Sequence, residues 1–361
     1  MYTKYQSVFD EIDTFVNPKD NSVVSKGGEV IIPGSGESSE DISLAAMVKN
    51  EGVILGGDLN ILKFNQKVND PTFMSMAITY SPTRAELSSY SQGKTVVHLR
   101  NSEIAKGTIR YPNISEQNTI VNYVLSLDAQ ISASTSRLAS LKQVKAASLQ
   151  AMFPQEGETV PKVRFKGFEG EWKKVKLSEC LEISTTRNLN NEYGVNEVLS
   201  VSDEEGVMNQ IKLLGRSYAG KSVTNYKILR TNQVVYTKSP LKAKPYGIVK
   251  VNKGETGIVS VLYAVYDAKE CVSPDYIHYY FEPTFRINNY LLPLINKGAK
   301  NTMNISDEVS LQGDIILPNT LEEQLRIVEY LQSLDRQIAL HTQRLEKLKQ
   351  IKAACLDKMF V

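Results

Sequence analysis

The residues best spaced to do chemistry are Gly215-Arg216-Ser217-Tyr218-Ala219-Gly220-Lys221-Ser222, which satisfy GxxxxGK[ST]. Such a loop cradles phosphates because its turn aims successive backbone N–H groups at the anion. The chemistry needs a strand before the loop and a helix N-terminus after it, so that the helix dipole faces the phosphate. Here the next residues are VTNYKILRTN, β-branched and aromatic, which read as a strand. No apolar strand ending in an acidic pair stands ready for magnesium. The match reads as a turn with a basic tip.

Methyl transfer to a base needs a glycine-rich cofactor loop and an NPPY-like tetrapeptide that receives the flipped base. The nearest strings are Asn17-Pro18-Lys19-Asp20 and Asp70-Pro71-Thr72-Phe73, and neither has the second proline or the aromatic in place. No nuclease-like cluster of Asp, Glu and Lys stands out. Asp203–Glu205 and Glu322–Glu323 read as turn and helix-start residues. Cys180, Cys271 and Cys355 are scattered without CxxC spacing, and His98, His278 and His341 form no ligand or triad spacing. No disulfide framework or metal site is expected.

Binding of nucleic acid has better support. The stretch Thr237–Gly247 packs Lys238, Lys242 and Lys244 beside Tyr246. Arg216, Tyr218 and Lys221 make a second basic–aromatic tip, and Arg187 stands as another cation. In the first half Arg84, Lys94 and Arg100 accompany the loop Pro33–Gly36. Such groups neutralise phosphates and reach base edges. The bland alternative is solvated loop cations, and the sequence leaves both open. A net charge of +2 means that binding must come from local patches.

The elements that must hold these residues follow a repeat. Residues 116–153 read EQNTIVNYVLSLDAQISASTSRLASLKQVKAASLQAMF and 323–360 read EQLRIVEYLQSLDRQIALHTQRLEKLKQIKAACLDKMF, at a constant offset of 207. About 22 of about 38 aligned residues are identical, so the chain is built from two like halves. Leu127, Ile131, Leu138, Leu141 and Met152 form a heptad-like stripe, matched by Leu334, Ile338, Leu345, Leu348 and Met359. That spacing predicts long helices with a narrow coiled-coil seam. Ser134 with His341 and Lys145 with Lys352 are polar intrusions that would set its register. Thr320 followed by Glu323 predicts a capping box, and Asn113 followed by Glu116 a similar start. A helix over 115–151 would be roughly 55 Å long. Two such helices favour pairing with each other, antiparallel, over packing each within its own domain.

Before each helix lies a mixed segment, about 1–111 and 161–317, rich in β-branched runs broken by Gly, Asn and Pro. These predict short strands of a compact sheet or distorted barrel, with helices at Pro71–Tyr80 and Pro274–Phe281. The predicted class is α+β, with two pseudo-repeated β-rich domains separated by two long antiparallel helices. Hydrophobic content of 42% over 361 residues allows a core in each half. No apolar run approaches the ~18 residues that cross a bilayer. The opening MYTKYQSVFDEID lacks a signal-peptide core, so a reducing cytoplasm is expected.

Two features carry a family resemblance. One is a proline, an EQ dipeptide, an I-V…L-D…I stretch, then R-L…L-K…M-F, at Pro112–Phe153 and again at Pro318–Phe360. The other is the run PKVRFKGFEGEW at 161–172. In these the chain resembles the specificity subunits of type I restriction–modification systems over nearly its whole length. The resemblance implies that 1–111 and 161–317 are target-recognition domains, each reading one half of a split, asymmetric double-stranded DNA site. It implies that 112–160 and 318–361 are spacer helices that fix the gap and dock two methylation subunits. S-adenosylmethionine would sit on those subunits, and ATP and magnesium on motor–nuclease subunits, leaving this chain without catalysis, cofactor or metal. The first domain starts inside the family pattern and is expected to be abbreviated at its N-terminus. Two other readings remain: a coiled-coil scaffold with protein- or glycan-binding ends, and the specificity subunit of a combined type II enzyme.

Overall fold

Both repeated segments are single helices, Ile114–Ala151 and Leu321–Met359. Their starts are capped as expected: Asn113 Oδ1 accepts the Glu116 N–H at 3.1 Å and Thr320 Oγ1 the Glu323 N–H at 3.3 Å. The reciprocal half of the capping box is not made. Glu323 turns its carboxylate to Arg164 and Trp172 instead, because a charge-assisted pair is stronger than a bond to one amide.

The computed structural model describes residues 7–10, 12–17, 21–220, 222–239, 243–297 and 303–360. The chain divides into two units, Met1–Leu138 with Leu340–Val361, and Ala139–Ala339. Each unit thus holds one β-rich domain, the first part of the helix that follows it and the last part of the other helix. Sequence boundaries at 111/112 and 317/318 follow the elements, whereas the packing cuts through both helices.

In the first unit a four-stranded sheet runs in the order Val8–Phe9, Ala46–Val48, Glu29–Pro33, Leu59–Leu62, antiparallel apart from its first pair. The helix Pro71–Tyr80 is buried from Thr72 to Thr79. Its polar residues Thr72, Ser75 and Thr79 share one face, where the Ser75 and Thr79 hydroxyls donate to Thr72 O and Ala45 O, as buried polar groups require. Asp70 caps it, accepting the Phe73 N–H at 2.7 Å, and Pro71 occupies the first turn, where its missing N–H costs nothing.

The second unit repeats this plan with additions. An antiparallel sheet runs Leu181–Ile183, Tyr263–Ala268, Val234–Thr237, Ile248–Val251. Pro274–Phe281 is its buried helix. Lys173–Lys176 pairs with Asp314–Leu317, and the hairpin Leu199–Ser202/Gly206–Asn209 leads into the short helix Gln210–Leu214.

The same two devices seat the buried helix in each unit. Gln117 Oε1 accepts the Asp70 N–H at 2.9 Å while its Nε2 donates to Val68 O and Pro112 O. Gln324 Oε1 accepts the Ser273 N–H at 3.0 Å while its Nε2 donates to Cys271 O. Both glutamines are fully buried and hydrogen-bonded, the condition under which a polar group is tolerated in a core. The terminal phenylalanine of the opposite helix then closes the core. Phe360 lies 5.3 Å from Phe73, and Phe153 lies 5.4 Å from Tyr276, ring to ring. The EQ and MF dipeptides of the repeat are therefore anchors for the recognition domains.

Within both units the long helices run antiparallel. In the first, Lys352 meets Asp128 at 2.5 Å, and Val121 and Val124 share a cluster with Leu356 and Phe360. In the second, Lys145 meets Asp335 at 2.7 Å and Ser148 meets Tyr330 at 3.3 Å. Under the 207-residue repeat Asp128 corresponds to Asp335 and Lys145 to Lys352. The two ion pairs are one pair written twice, as an isologous interface requires. Leu127, Leu141, Leu334, Leu345 and Leu348 are buried, with Ile131, Leu138 and Ile338 half-buried. Met152 is buried, but Met359 is not.

Candidate nucleic-acid interface

The structure separates the candidate cations into compensated and exposed groups. Lys238 Nζ lies 2.6 Å from Asp307, which also binds the buried Lys227. Burial pushes the Asp307 carboxyl up, but hydrogen bonds and charge from Lys227 and Lys238 outweigh it and hold the pKa below the ordinary range. Lys244 pairs with Asp203 at 2.9 Å and donates to Glu282 O at 3.0 Å. Tyr246 packs on the core, and its carbonyl accepts the Tyr236 hydroxyl at 3.0 Å. The charges of Lys238 and Lys244 are thus already answered by carboxylates of their own domain. Lys242 and Lys221 lie outside the described residues.

Around 210–219 the arrangement differs. Asn209 caps the helix Gln210–Leu214, and Gly215, at φ 77°, ends it in a left-handed conformation that glycine adopts without strain. The following loop is held from one side chain. Gln210 Oε1 accepts the Tyr218 N–H at 2.7 Å and the Ser217 hydroxyl at 3.3 Å, while Gln210 Nε2 donates to Ser200 Oγ at 3.0 Å. The Arg216 guanidinium lies over the exposed Tyr218 ring, 4.6 Å from its centroid. The helix precedes the GxxxxGK[ST] string, and the strand Lys227–Leu229 follows it. Among the described residues no helix N-terminus follows the string, since the next element is the strand Lys227–Leu229, so these residues do not form a phosphate cradle. What remains is a fixed cation–aromatic tip, suited to stacking and to donating toward phosphates or base edges.

The other candidates are dispersed. Arg187 is exposed and donates to Asn225 O at 2.9 Å. In the first unit Arg84 donates to Glu40 O at 3.1 Å, and Lys94 and Arg100 are exposed, with Arg100 just before the short helix Asn101–Ile104. The loop Pro33–Gly36 carries the strand Ser35–Gly36, which pairs with Val97–His98. In the 161–176 segment Arg164 is taken by Glu323, and Lys174 and Lys176 by Asp314.

Sequence reasoning missed the carboxylates. Lys145 is gripped by Glu282 at 2.6 Å and Asp335 at 2.7 Å, with the Tyr279 ring 5.5 Å away. Burial opposes its charge, yet the Glu282 and Asp335 carboxylates outweigh burial and raise its pKa. The signal was present: SLD and KAA recur at matching places in both copies. Also missed was Arg286, buried against the rings of Phe153 and Tyr280 and donating to Leu149 O and Tyr280 O. Among the described residues no helix is long and apolar enough to cross a membrane.

The chain thus carries two like domains, each seated on a duplicated, antiparallel helix pair. The family model for the type I restriction modification DNA specificity domain matches residues 169–350, half of the chain, and the chain belongs to that family. Among solved structures it is similar to the type I restriction–modification S subunit from M. genitalium, at 11% identity and a TM-score of 0.57 over 98% of this chain and 88% of that one. It is also similar to the HsdS subunit from Thermoanaerobacter tengcongensis, at 20% identity and a TM-score of 0.47 over 93% and 81%. The curated proteins hold no match to this chain.

Proposed function

We propose that this DNA-specificity subunit reads a split, asymmetric site, one half through each recognition domain, with the paired helices setting the number of base pairs between the halves. The observation that carries this reading is the doubled ion pair, Asp128–Lys352 and Lys145–Asp335, with the Gln117/Phe360 and Gln324/Phe153 anchors. Each domain is seated on both helices by the same contacts, so one reader can be exchanged without disturbing the seat of the other. Arg216 and Tyr218 are the leading contacts of the second reader, with Arg187 in support. In the first, Arg84, Lys94 and Arg100 are the candidates. Chemistry belongs to partners: two methylation subunits carrying S-adenosylmethionine dock on the helices, and motor–nuclease subunits supply ATP- and magnesium-dependent cleavage. The complex works in the cytoplasm, on the host's own double-stranded DNA and on incoming DNA.

The test is an exchange of 161–317 for the corresponding domain of another family member, followed by mapping of methylated adenines. One half of the site changes, while the other half and the gap stay fixed. A change in both halves would show that the domains are not independent readers.

A further inference from the structure

Two loops of the second unit share one small core, and each is held by one polar side chain. The core includes Val198, Val223 and Ile258, with Tyr193 and Ala219 packed against it. Ala219 closes the loop that carries Arg216 and Tyr218, held by Gln210. Tyr193 closes the other loop, the run RNLNNE at 187–192.

Asn188 holds this second loop from inside, at 1% exposure. Its Nδ2 donates to Tyr193 O at 2.7 Å and Val223 O at 3.3 Å, and its Oδ1 accepts the Tyr193 N–H at 3.1 Å. Its backbone N–H donates to Tyr226 O at 3.0 Å, and its carbonyl accepts the Asn191 N–H at 3.0 Å. Asn191 stands at φ 53°, in the left-handed region that asparagine enters at low cost. The turn is thereby closed on itself and tied to 223–226, the continuation of the Arg216 loop.

This fixed turn holds Leu189 out at 64% exposure, with Asn190 exposed beside it. A lone exposed leucine is ordinary on a protein surface. Here it adjoins an exposed amide on a turn that is already ordered, with exposed arginines, Arg187 and Arg216, on the two loops. Asn190 Nδ2 lies 3.5 Å from Glu192 Oε1, long for a hydrogen bond, so the amide keeps a donor and an acceptor for another partner. The Glu192 carboxylate in the same loop opposes a phosphate at the tip. A neutral base edge suits the tip, and the arginines suit the phosphates that flank it.

We infer that the turn 188–191 reads bases, with Asn190 recognising an adenine and Leu189 the methyl group of a thymine. This rests on the reading of the second domain as the reader of one half-site. An asparagine amide donates to adenine N7 and accepts from its N6 amino group, and an apolar side chain meets the thymine methyl. Asn188 is a positioning residue: it orders the turn before DNA arrives, so binding does not bear that ordering cost. The half-site read by this domain therefore contains an A·T pair where the turn enters.

The test uses the full chain in complex with methylation subunits. The complex selects from a pool of random duplexes at fixed salt, and the bound fraction is sequenced. Asn190→Ala is expected to lose the preference for adenine at one position, by about tenfold or more. That position lies in the half-site that exchange of 161–317 alters. Leu189→Ala lowers the preference for thymine at the same or a neighbouring pair. The other half-site, the gap and the urea midpoint stay unchanged, as befits exposed side chains. Base preferences unchanged in both variants overturn the inference. So does equal weakening on every duplex with the preferences kept, which would make the turn a phosphate contact, and so does relaxation at a G·C pair. Those three results leave the split site of the unaltered complex standing, and with it the proposed function. An unaltered complex that selects no sequence refutes the proposed function and this inference together.

Discussion

Replacing Lys145 and Lys352, equivalent under the repeat, should have unequal costs. Lys145 is 14% exposed and faces two carboxylates, Glu282 at 20% and Asp335 at 38% exposure. The Tyr279 hydroxyl donates to the same Asp335 at 2.7 Å. Lys145→Met keeps the aliphatic stem and removes only the charge, leaving two carboxylates facing each other. Breaking a fully buried pair costs roughly 3–5 kcal/mol; discounted for the exposure of Asp335, about 2–3 kcal/mol remains. Among the described residues Lys352 faces Asp128 alone, and that carboxylate is 39% exposed. Lys352→Met should cost about 0.5–1 kcal/mol. Native-state amide exchange reads each locally, because opening free energies are resolved segment by segment. Exchange over 141–149 should accelerate by on the order of 30–150-fold in the Lys145 variant, against about 2–5-fold over 121–128 in the Lys352 variant. Equal effects, or a larger one at Lys352, would refute the claim that Glu282 makes the second pair the tighter lock.

Gln324→Leu strands the buried Ser273 N–H and Cys271 O, and should lower stability by about 2–3 kcal/mol in urea titrations followed by the fluorescence of Trp172, the only tryptophan. Arg216→Ala and Tyr218→Ala should weaken binding of the specific duplex about tenfold each with no change in urea midpoint, by fluorescence anisotropy at fixed salt. Lys238→Ala should do the reverse, since its partner is Asp307. The pH dependence should carry the mark of His278. Burial, with the charge of Lys250 and Lys145, pulls its pKa down to about 3, against a hydrogen bond to Val249 O and the charge of Asp335. The unfolded chain then binds a proton near pH 6.5 that the folded chain refuses, so stability is full above that pH and falls below it, by up to about 1.4 kcal/mol per pH unit. In His278→Gln this slope between pH 6.5 and 4 should flatten.

The repeat made much of the fold legible. It placed the helices within a residue or two and, through Pro71 and Pro274, both buried domain helices. Those elements are decided locally, by proline position, capping side chains and periodicity. The functional surface was less readable, because whether a lysine is free depends on long-range partners. Lys238 and Asp307 are far apart in the chain, as are Lys244 and Asp203, and no periodicity links them. Arg216 and Tyr218 could be grouped from the sequence because they sit two residues apart in one loop. Their hold by Gln210 and Ser200 was invisible until the hairpin was folded. Glu323 looked like half of a local capping box because Arg164, its true partner, lies in another domain segment.

The most direct test of the account removes one heptad from each helix, residues 131–137 and their repeat counterparts 338–344. Both flanks lose the same length, so Asp128 still faces Lys352 and Lys145 still faces Asp335. The helix pair shortens by about 10 Å at 1.5 Å per residue, or about three base pairs of duplex at 34 Å per turn. Mapping of methylated adenines should show both half-sites unchanged and the gap shorter by about three base pairs. Intact half-sites at the original spacing would contradict the claim that the paired helices measure the distance.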